Sequence, residues 1–265
     1  MYVIGELING TYSKVARAIQ AKDGLYIKAL ALSQVDEGAD ALDINCGPAS
    51  RDEIADMRWL VETIREKTAV TLSLDSAKPQ VIEAGLQAAG GQCIINSTSA
   101  DRERLQTYIP LAKKYNAALI ALTMDKKGVP QDKDRRLELA AEILAFVQES
   151  DFSVTEVYLD PILPPVNVGQ SQLVSVLEAI REFRQMSTPA AKTVLGASNI
   201  SQGSKERSLL NRTFLVMAES YGLDAAILDP LDRELMDALI TAEMVLNKSI
   251  YCDSYIDAYR KSRKS

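Results

Sequence analysis

The sequence predicts an α/β protein built as a closed (β/α)8 barrel, and two observations lead to this prediction. Eight short apolar runs alternate with segments of helical periodicity, and a chain of 265 residues has the usual size of such a barrel. Alternating strands and helices imply parallel strands joined by right-handed crossovers. An open, doubly wound sheet is the alternative, but eight βα units in one chain favour closure.

Each of the eight predicted strands is a short run rich in β-branched and aliphatic residues. In chain order they are YVIGEL (2–7), ADALDIN (39–45), AVTLSLDS (69–76), QCIINST (92–98), AALIALTMD (117–125), EVYLDPI (156–162), TVLGASN (193–199) and DAAILDP (224–230). Helix-period apolar residues fill the segments between them, as at Met57, Leu60, Val61 and Ile64. We expect one barrel domain over residues 1–265.

The composition excludes several classes of protein and site. A formal net charge of -6 argues against a dedicated nucleic-acid binder. The start MYVIGELING is unlike a signal peptide and no run is long enough to span a membrane, so we expect a cytoplasmic protein. The chain has no histidine, which excludes Ser-His-Asp and Cys-His catalysis and His-bound zinc. Its three cysteines, Cys46, Cys93 and Cys252, lack C-x-x-C spacing and indicate neither disulfides nor a metal centre.

Every predicted strand ends in polar side chains. These are Glu6, Asp43 with Asn45, Asp75, Asn96, Asp125, Asp160, Ser198 with Asn199, and Asp229. Because the carboxyl ends of parallel strands meet at one face of a barrel, we expect these groups to converge on one mouth. Helix capping or turn formation also explains Asp125 and Asp229, whereas Asp75 and Asp160 are better explained as site residues.

Carboxylates opposite amides favour recognition of a flat heterocycle. A carboxylate can accept the ring N–H and exocyclic NH2 of an aminopyrimidinone together, and an Asn suits the carbonyl and ring nitrogens. Oxygen ligands for Mg2+ are the other use of such a cluster. The segment 195–215 adds a close-approach glycine, neutral donors and positive charge: Gly196, Ser198, Asn199, Ser201, Gln202, Lys205, Arg207 and Arg212.

Taken together, the motifs resemble the pterin-binding methyltransferases, specifically the methyltetrahydrofolate:corrinoid protein methyltransferases. The motifs are IGELING, ALDINCGPA, LSLDS, INSTSAD, ALIALTMDKKGVP, YLDPILPPVNV, TVLGASNISQ and NRTFL, and they cover essentially the whole chain. The resemblance implies a pterin-binding (β/α)8 barrel that forms a homodimer. It also implies transfer of a methyl group between N5 of tetrahydrofolate and the cobalt of a separate corrinoid protein.

The resemblance also implies roles for individual residues. Asp75, Asn96 and Asp160 would hold the pterin ring, Asn199 would face N5, and Asp43 would support the site. Gly196, Ser198, Gln202 and Arg207 complete the implied folate site, with Asn199, Asp160 and Asp75 as its catalytic members and no metal in this chain. One departure is Leu7, where the family motif GERIN has arginine, which puts a charge role at that edge in doubt.

Other functions and partners stay open at this stage. A dihydropteroate synthase-like enzyme is the nearest rival, although it would carry a Ser-Arg-Lys loop and a late Arg-x-His, and this chain has ASNISQ and no histidine. A noncatalytic folate-binding protein is a second rival. The chain lacks a D-x-H-x-x-G cobalamin motif, so a partner must carry the corrinoid: a corrinoid iron–sulfur protein in acetogenesis, or a demethylase corrinoid protein in O- or N-demethylation.

Overall fold

The eight apolar runs form eight parallel strands, and the strands close into a barrel in chain order from β1 to β8. The strands are β1 (Tyr2–Asn9), β2 (Ala41–Asn45), β3 (Thr71–Asp75), β4 (Cys93–Ser99), β5 (Ala118–Leu122), β6 (Val157–Asp160), β7 (Lys192–Gly196) and β8 (Ala225–Leu228). The computed structural model describes residues 1–48 and 50–262. Residues 49 and 263–265, which the predicted domain 1–265 includes, lie outside the described part. The predicted barrel is confirmed, and the open sheet is wrong.

Helices surround the barrel and return the chain from the mouth to the next strand. They are α1 (Ser13–Ala21), α2 (Gly24–Asp36), α3 (Glu53–Arg65), α4 (Pro79–Ala89), α5 (Arg102–Tyr115), α6 (Lys133–Glu149), α7 (Val166–Gly169), α8 (Leu173–Phe183), α9 (Arg207–Ser220), α10 (Arg233–Val245) and α11 (Tyr255–Ser262). Aspartates cap four of them by accepting a backbone N–H: Asp23, Asp52, Asp132 and Asp232. Among the described helices, none is long and apolar enough to cross a membrane.

Two predicted strands extend three residues past the ends of the observed strands. The predicted strand 193–199 ends at Gly196, and the chain turns into a 3-10 helix over Ala197–Ser201. Gly196, opposite Ile227, is the last residue of this strand that pairs with β8. The predicted strand 117–125 ends at Leu122, because the Met124 N–H turns back to the Leu122 carbonyl. A run of apolar residues in the sequence does not predict where pairing with the neighbouring strand ends.

The inward face of the barrel changes from apolar to polar along the strand direction. A core inside the barrel is formed by Ile4, Ala41, Ile94, Ala118, Ile120, Tyr158, Val194 and Ala225. Side chains two residues further along a strand share the same face, since strand side chains alternate. At those positions stand Glu6, Asp43, Asn96 and Asp160. The barrel is therefore packed shut at one end and presents hydrogen-bonding groups at the other.

Candidate active site

Neighbouring polar side chains form a cluster at the carboxyl ends of β2, β3 and β4. Asp75 and Asn96 are paired across β3 and β4. The Asn45 amide donates to Asp75 Oδ2 at 2.7 Å. Asp43 Oδ1 accepts two hydrogen bonds, from Ser73 Oγ at 2.7 Å and from Asn96 Nδ2 at 3.0 Å. Asp43 therefore fixes the orientation of Asn96; its supporting role in a folate site stays a prediction.

The two aspartates of this cluster resist carrying a negative charge together. Burial, and then the neighbouring charge of Asp75, raises the pKa of Asp43. Burial likewise raises the pKa of Asp75, and the hydrogen bond from Asn45 opposes that shift. A ligand that donates N–H groups here would stabilise the charged forms.

Asp160, at the end of β6, is a buried carboxylate with one hydrogen bond from the backbone. Its side chain is 8% exposed, and its Oδ1 accepts the Ile162 N–H at 2.7 Å. Pro161 has no N–H to donate, so the bond comes from two residues on. Burial raises the pKa of Asp160 to about 7, against the opposing effects of the Ile162 bond and the Arg136 charge. The residue is thus both a turn residue and a site candidate.

Behind Asp160 lies a fully buried arginine. Arg136, in the first turns of α6, donates from Nε to the Pro161 carbonyl at 2.8 Å and from Nη1 to the Asp132 carbonyl at 2.9 Å. Its Nη2 donates to Gln172 Oε1 at 3.3 Å. The guanidinium therefore joins the start of α6 to the turn that carries Asp160. Sequence reasoning missed this residue because a cation on an amphipathic helix is normally solvated.

Asn199 lies in the 3-10 helix that follows β7. Its Oδ1 accepts a hydrogen bond from Gln202 Nε2 at 3.2 Å. Its amide is packed onto the strand end so closely that a Cβ on Gly196 would stand 2.9 Å from Asn199 Nδ2. Any side chain at position 196 would therefore crowd the Asn199 amide. Gln202 is exposed at the mouth.

Ser198 links three separate segments of the barrel. Its hydroxyl donates to Glu6 Oε1 at 2.7 Å and accepts from Asn211 Nδ2 at 3.5 Å. Asn211 is on α9, and its own Oδ1 is buried without a hydrogen-bond partner among the described residues. Arg207, at the start of α9, donates to Ser201 Oγ at 3.3 Å in the same 3-10 helix. Glu6 was visible in sequence as a strand-end carboxylate, but its link to Ser198 was not.

The residues interpreted as turn formers do form turns. Asp125 accepts the Lys127 N–H at 2.8 Å and pairs with Arg135 at 2.7 Å. Asp229 accepts the Leu231 N–H at 2.8 Å. Of the basic residues after β7, Arg212 pairs with Glu234 on α10 and Lys205 is exposed.

Two cavities open beside Asp75 at the mouth. One has a volume of about 420 Å³ and the other about 320 Å³. The larger is lined by Asn45, Gly47 and Lys78 among others, and the smaller by Ser97, Arg104 and Met124 among others. Among the described residues there is no group of three or more His, Cys, Asp or Glu side chains that could hold a metal ion.

The predicted site residues thus lie in three groups at one face of the barrel. Asp43 is hydrogen-bonded to Asn96, and Asp75 lies opposite Asn96 on the neighbouring strand. Ser198, Asn199, Gln202 and Arg207 form the segment after β7, and Asp160 stands between the two groups on β6. No hydrogen bond found between described side chains joins Asp160 to either group. A ligand that contacts all three groups must span the mouth.

Comparison with known proteins gives the family. The family described as pterin binding enzymes matches residues 5–229. A methylcorrinoid:tetrahydrofolate methyltransferase of Eubacterium limosum is 26% identical over 265 residues, which cover 99% of this chain and 97% of the relative. A methionine synthase of Mycobacterium tuberculosis is 32% identical over 239 residues, which cover 85% of this chain and 20% of that protein. The chain therefore spans about a fifth of the methionine synthase.

Solved structures agree on the fold. A dihydropteroate synthase of Coxiella burnetii in complex with pteroic acid matches with a TM-score of 0.68 at 16% identity, over 94% of each chain. A dihydropteroate synthase of Xanthomonas albilineans matches with a TM-score of 0.68 at 17% identity, over 92% of each chain. At such identities the likeness concerns the barrel alone. With the family match extending from β1 to the end of β8, the chain belongs to the pterin binding enzymes.

Proposed function

We propose that this protein transfers a methyl group between N5 of tetrahydrofolate and the cobalt of a corrinoid held by a separate protein. One observation carries the proposal: Asp75, Asn96, Asp160 and Asn199 stand at one barrel mouth, in a chain that matches a methylcorrinoid:tetrahydrofolate methyltransferase over its full length. The name of that relative makes the methylcorrinoid the donor. We therefore assign methylation of tetrahydrofolate as the physiological direction, which suits a demethylase system better than acetogenesis.

Pterin recognition follows from the chemistry of the buried carboxylates. The pterin ring presents an N–H beside an exocyclic NH2, and an ionised aspartate accepts both. Asp160 fits this role because one oxygen is already fixed by the Ile162 N–H, which sets the plane of the carboxylate. Asp75 and the Oδ1 of Asn96 are left to meet the opposite edge of the ring, because Asp43 already holds the Asn96 Nδ2. Charge-assisted hydrogen bonds contribute roughly 1.5 to 3 kcal/mol each.

Asn199 suits a reaction in which charge develops on N5. When the methyl group leaves N5, the nitrogen gains electron density and must be stabilised by a hydrogen bond or a proton. An amide N–H cannot give up its proton near neutral pH, but it strengthens its hydrogen bond as the charge grows. In the methylating direction the same neutral amide leaves the N5 lone pair free to attack. Because Asn199 Oδ1 accepts the hydrogen bond from Gln202, the NH2 group of the Asn199 amide points away from Gln202.

The corrinoid partner would meet an exposed apolar rim around the mouth. In proteins of this kind the corrinoid supplies cobalt as methyl acceptor or donor, and no histidine is present in this chain to ligate it. Exposed apolar side chains stand in the loops and helix starts that follow the strands: Tyr12, Val129, Val168, Leu209 and Leu231. A corrinoid has a broad, largely apolar face, so this rim suits its approach.

A methyl-transfer assay in both directions tests the proposal. Purified protein would be mixed with tetrahydrofolate and a methylated demethylase corrinoid protein or free methylcobalamin, and also with 5-methyltetrahydrofolate and reduced corrinoid. We expect transfer in both directions and saturable tetrahydrofolate binding. Folate binding without transfer would instead support the noncatalytic folate-binding function, and condensation of a pterin pyrophosphate with p-aminobenzoate would support dihydropteroate synthase.

The homodimer and the cytoplasmic location stay predictions. A single chain bears on neither of them. Sedimentation equilibrium of the purified protein measures the first, and cell fractionation measures the second.

A further inference from the structure

We propose that Glu6 holds the proton exchanged with bound folate and that it acts through the Ser198 hydroxyl. This inference rests on the proposed function and deepens it, because an amide such as Asn199 can stabilise N5 but cannot supply a proton. In this proposal Glu6 stores the proton and exchanges it through Ser198, and it does not itself touch the substrate.

The first support is the direction of the Glu6 side chain. Tyr2 and Ile4 pack with the core inside the barrel, and Glu6 continues this inward alternation at the top of β1. Around Glu6, between Gly5 and Ile8, the pairing register of β1 with β2 shifts. Such bulges commonly re-aim a side chain beside an active site. Glu6 therefore faces the mouth and not the surrounding helices.

The second support is the hydrogen bond that joins Glu6 to the segment bearing Asn199. Ser198 Oγ donates to Glu6 Oε1 at 2.7 Å, and Ser198 immediately precedes Asn199 in the 3-10 helix. No other described side chain donates to the Glu6 carboxylate. A protonated Glu6 can pass its proton to the Ser198 oxygen, while the Ser198 hydroxyl gives its own proton to N5 of the bound folate.

The third support is the charge around Glu6. Asp229 from the end of β8 and Asp43 from β2 face it with negative charge, Arg207 from α9 faces it with positive charge, and Tyr12 stands beside it. Burial, with the charge of Asp229 and against the Ser198 bond and Arg207, raises the pKa of Glu6 to about 7. Glu6 can therefore both bind and release a proton near neutral pH.

With this assignment, the methyl-transfer reaction is balanced in protons. When 5-methyltetrahydrofolate gives up its methyl group, the C–N5 bond breaks, the methyl group goes to Co(I), and the electron pair left on N5 takes one proton. Glu6 loses that proton through Ser198 and becomes a carboxylate, which solvent reprotonates. In the methylating direction N5 releases one proton, and Glu6 accepts it by the same route.

Glu6→Gln tests the proposal, since Gln keeps an acceptor for the Ser198 hydroxyl but cannot release a proton. We expect unchanged folding and folate affinity, a fall in kcat of at least tenfold, and loss of the kcat dependence on pH between about 6 and 8. Ser198→Ala should cause a similar loss, and the double variant should lose no more than either single variant. Glu234→Gln, an exposed carboxylate paired with Arg212, is the matched control and should behave as wild type.

A wild-type pH profile in Glu6→Gln, or losses that add in the double variant, would overturn the assignment. A readout without turnover separates this outcome from failure of the proposed function. Calorimetry of tetrahydrofolate binding in buffers of different ionisation enthalpy counts the protons exchanged on binding. Wild type should exchange more protons near pH 7 than Glu6→Gln, in which only the buried aspartates of the site still exchange them, whether or not methyl transfer occurs; equal proton counts would contradict the role of Glu6.

Discussion

At the scale of single residues, the buried carboxylates proposed to bind folate also affect the stability of the fold. Ionisation of Asp160 is unfavourable in the folded protein, because burial raises its pKa to about 7. The folded protein without folate therefore binds a proton there more tightly than the unfolded chain does. This contribution to stability is complete below about pH 4, the usual range of an aspartate, and is lost as the pH rises through about 7.

Asp160→Asn should separate the two effects. Asn keeps an oxygen for the Ile162 N–H but has no charge to bury, so the variant should be more stable than wild type at pH 8, by at most about 4 kcal/mol. The difference should vanish toward pH 4 in urea unfolding. Folate affinity should fall at least tenfold, because an amide cannot accept two N–H donors on its oxygen and nitrogen. Asp125→Asn, in a turn outside the cluster, is the control for affinity; equal affinities of wild type and Asp160→Asn would contradict the site.

Asn199→Ala should affect turnover more than binding. Its amide is assigned to N5, where charge develops only as the methyl group moves, so its hydrogen bond is stronger in the transition state than in the bound substrate. We expect kcat to fall 10- to 1,000-fold, the range for removal of one such donor, with less than a threefold change in folate Kd. Steady-state kinetics and a folate titration measure the two. Equal losses in both would contradict the assignment.

At the scale of structural elements, the turn after β6 depends on Arg136. Arg136→Met removes the donors to the Pro161 and Asp132 carbonyls. It should destabilise the fold by roughly 1 to 3 kcal/mol, since the buried Pro161 carbonyl left without a donor costs about that much, whereas Asp132 is exposed and water can replace its donor. Folate affinity should fall with it, because the turn carries Asp160. Arg135→Met, whose guanidinium pairs with Asp125 and Glu138, is the control and should leave stability nearly unchanged. Equal stability of the two variants would contradict the role of Arg136.

At the end of β7, a substitution should lower turnover with little effect on stability. In Gly196→Ala the added Cβ would stand 2.9 Å from Asn199 Nδ2, and the flexible amide can move away. We expect a stability loss below about 1 kcal/mol with a clear fall in kcat, measured by unfolding and methyl transfer. Gly24→Ala, where the new Cβ meets only ordinary contacts of 3.5 Å and 3.8 Å, should leave kcat unchanged. A Gly196→Ala enzyme with full turnover would show that the position of the Asn199 amide is not critical.

These elements also show what the sequence can and cannot predict. Alternating apolar runs predict the barrel because each strand must bury both faces, and strand order then places Asp75, Asn96 and Asp160 on one mouth. The bond between Ser198 and Glu6 joins residues 192 positions apart and exists only because β8 brings β7 and β1 together. Arg136 gave no signal, since the sequence pattern of α6 does not reveal that this cation is buried.

At the scale of the whole molecule, the folate site and the partner surface should be separable. Val168→Asp introduces a charge on an exposed apolar residue of the rim, 80% exposed. We expect methyl transfer from a corrinoid protein to slow at least fivefold, with unchanged transfer from free methylcobalamin and unchanged folate affinity. Ile250→Asp, at a residue 94% exposed beyond α10, is the control and should leave all three unchanged. A loss with free methylcobalamin as well would place Val168 in the folate site rather than on the docking surface.

The central claim is that one barrel mouth binds folate and exchanges its methyl group with an external corrinoid. Transfer of a labelled methyl group from methylcobalamin to tetrahydrofolate, with wild type and Asn199→Ala side by side, tests it most directly. We predict labelled 5-methyltetrahydrofolate with wild type and at least tenfold slower formation with the variant. Folate bound at the mouth with no label transferred, from methylcobalamin or from a methylated corrinoid protein, would contradict the claim.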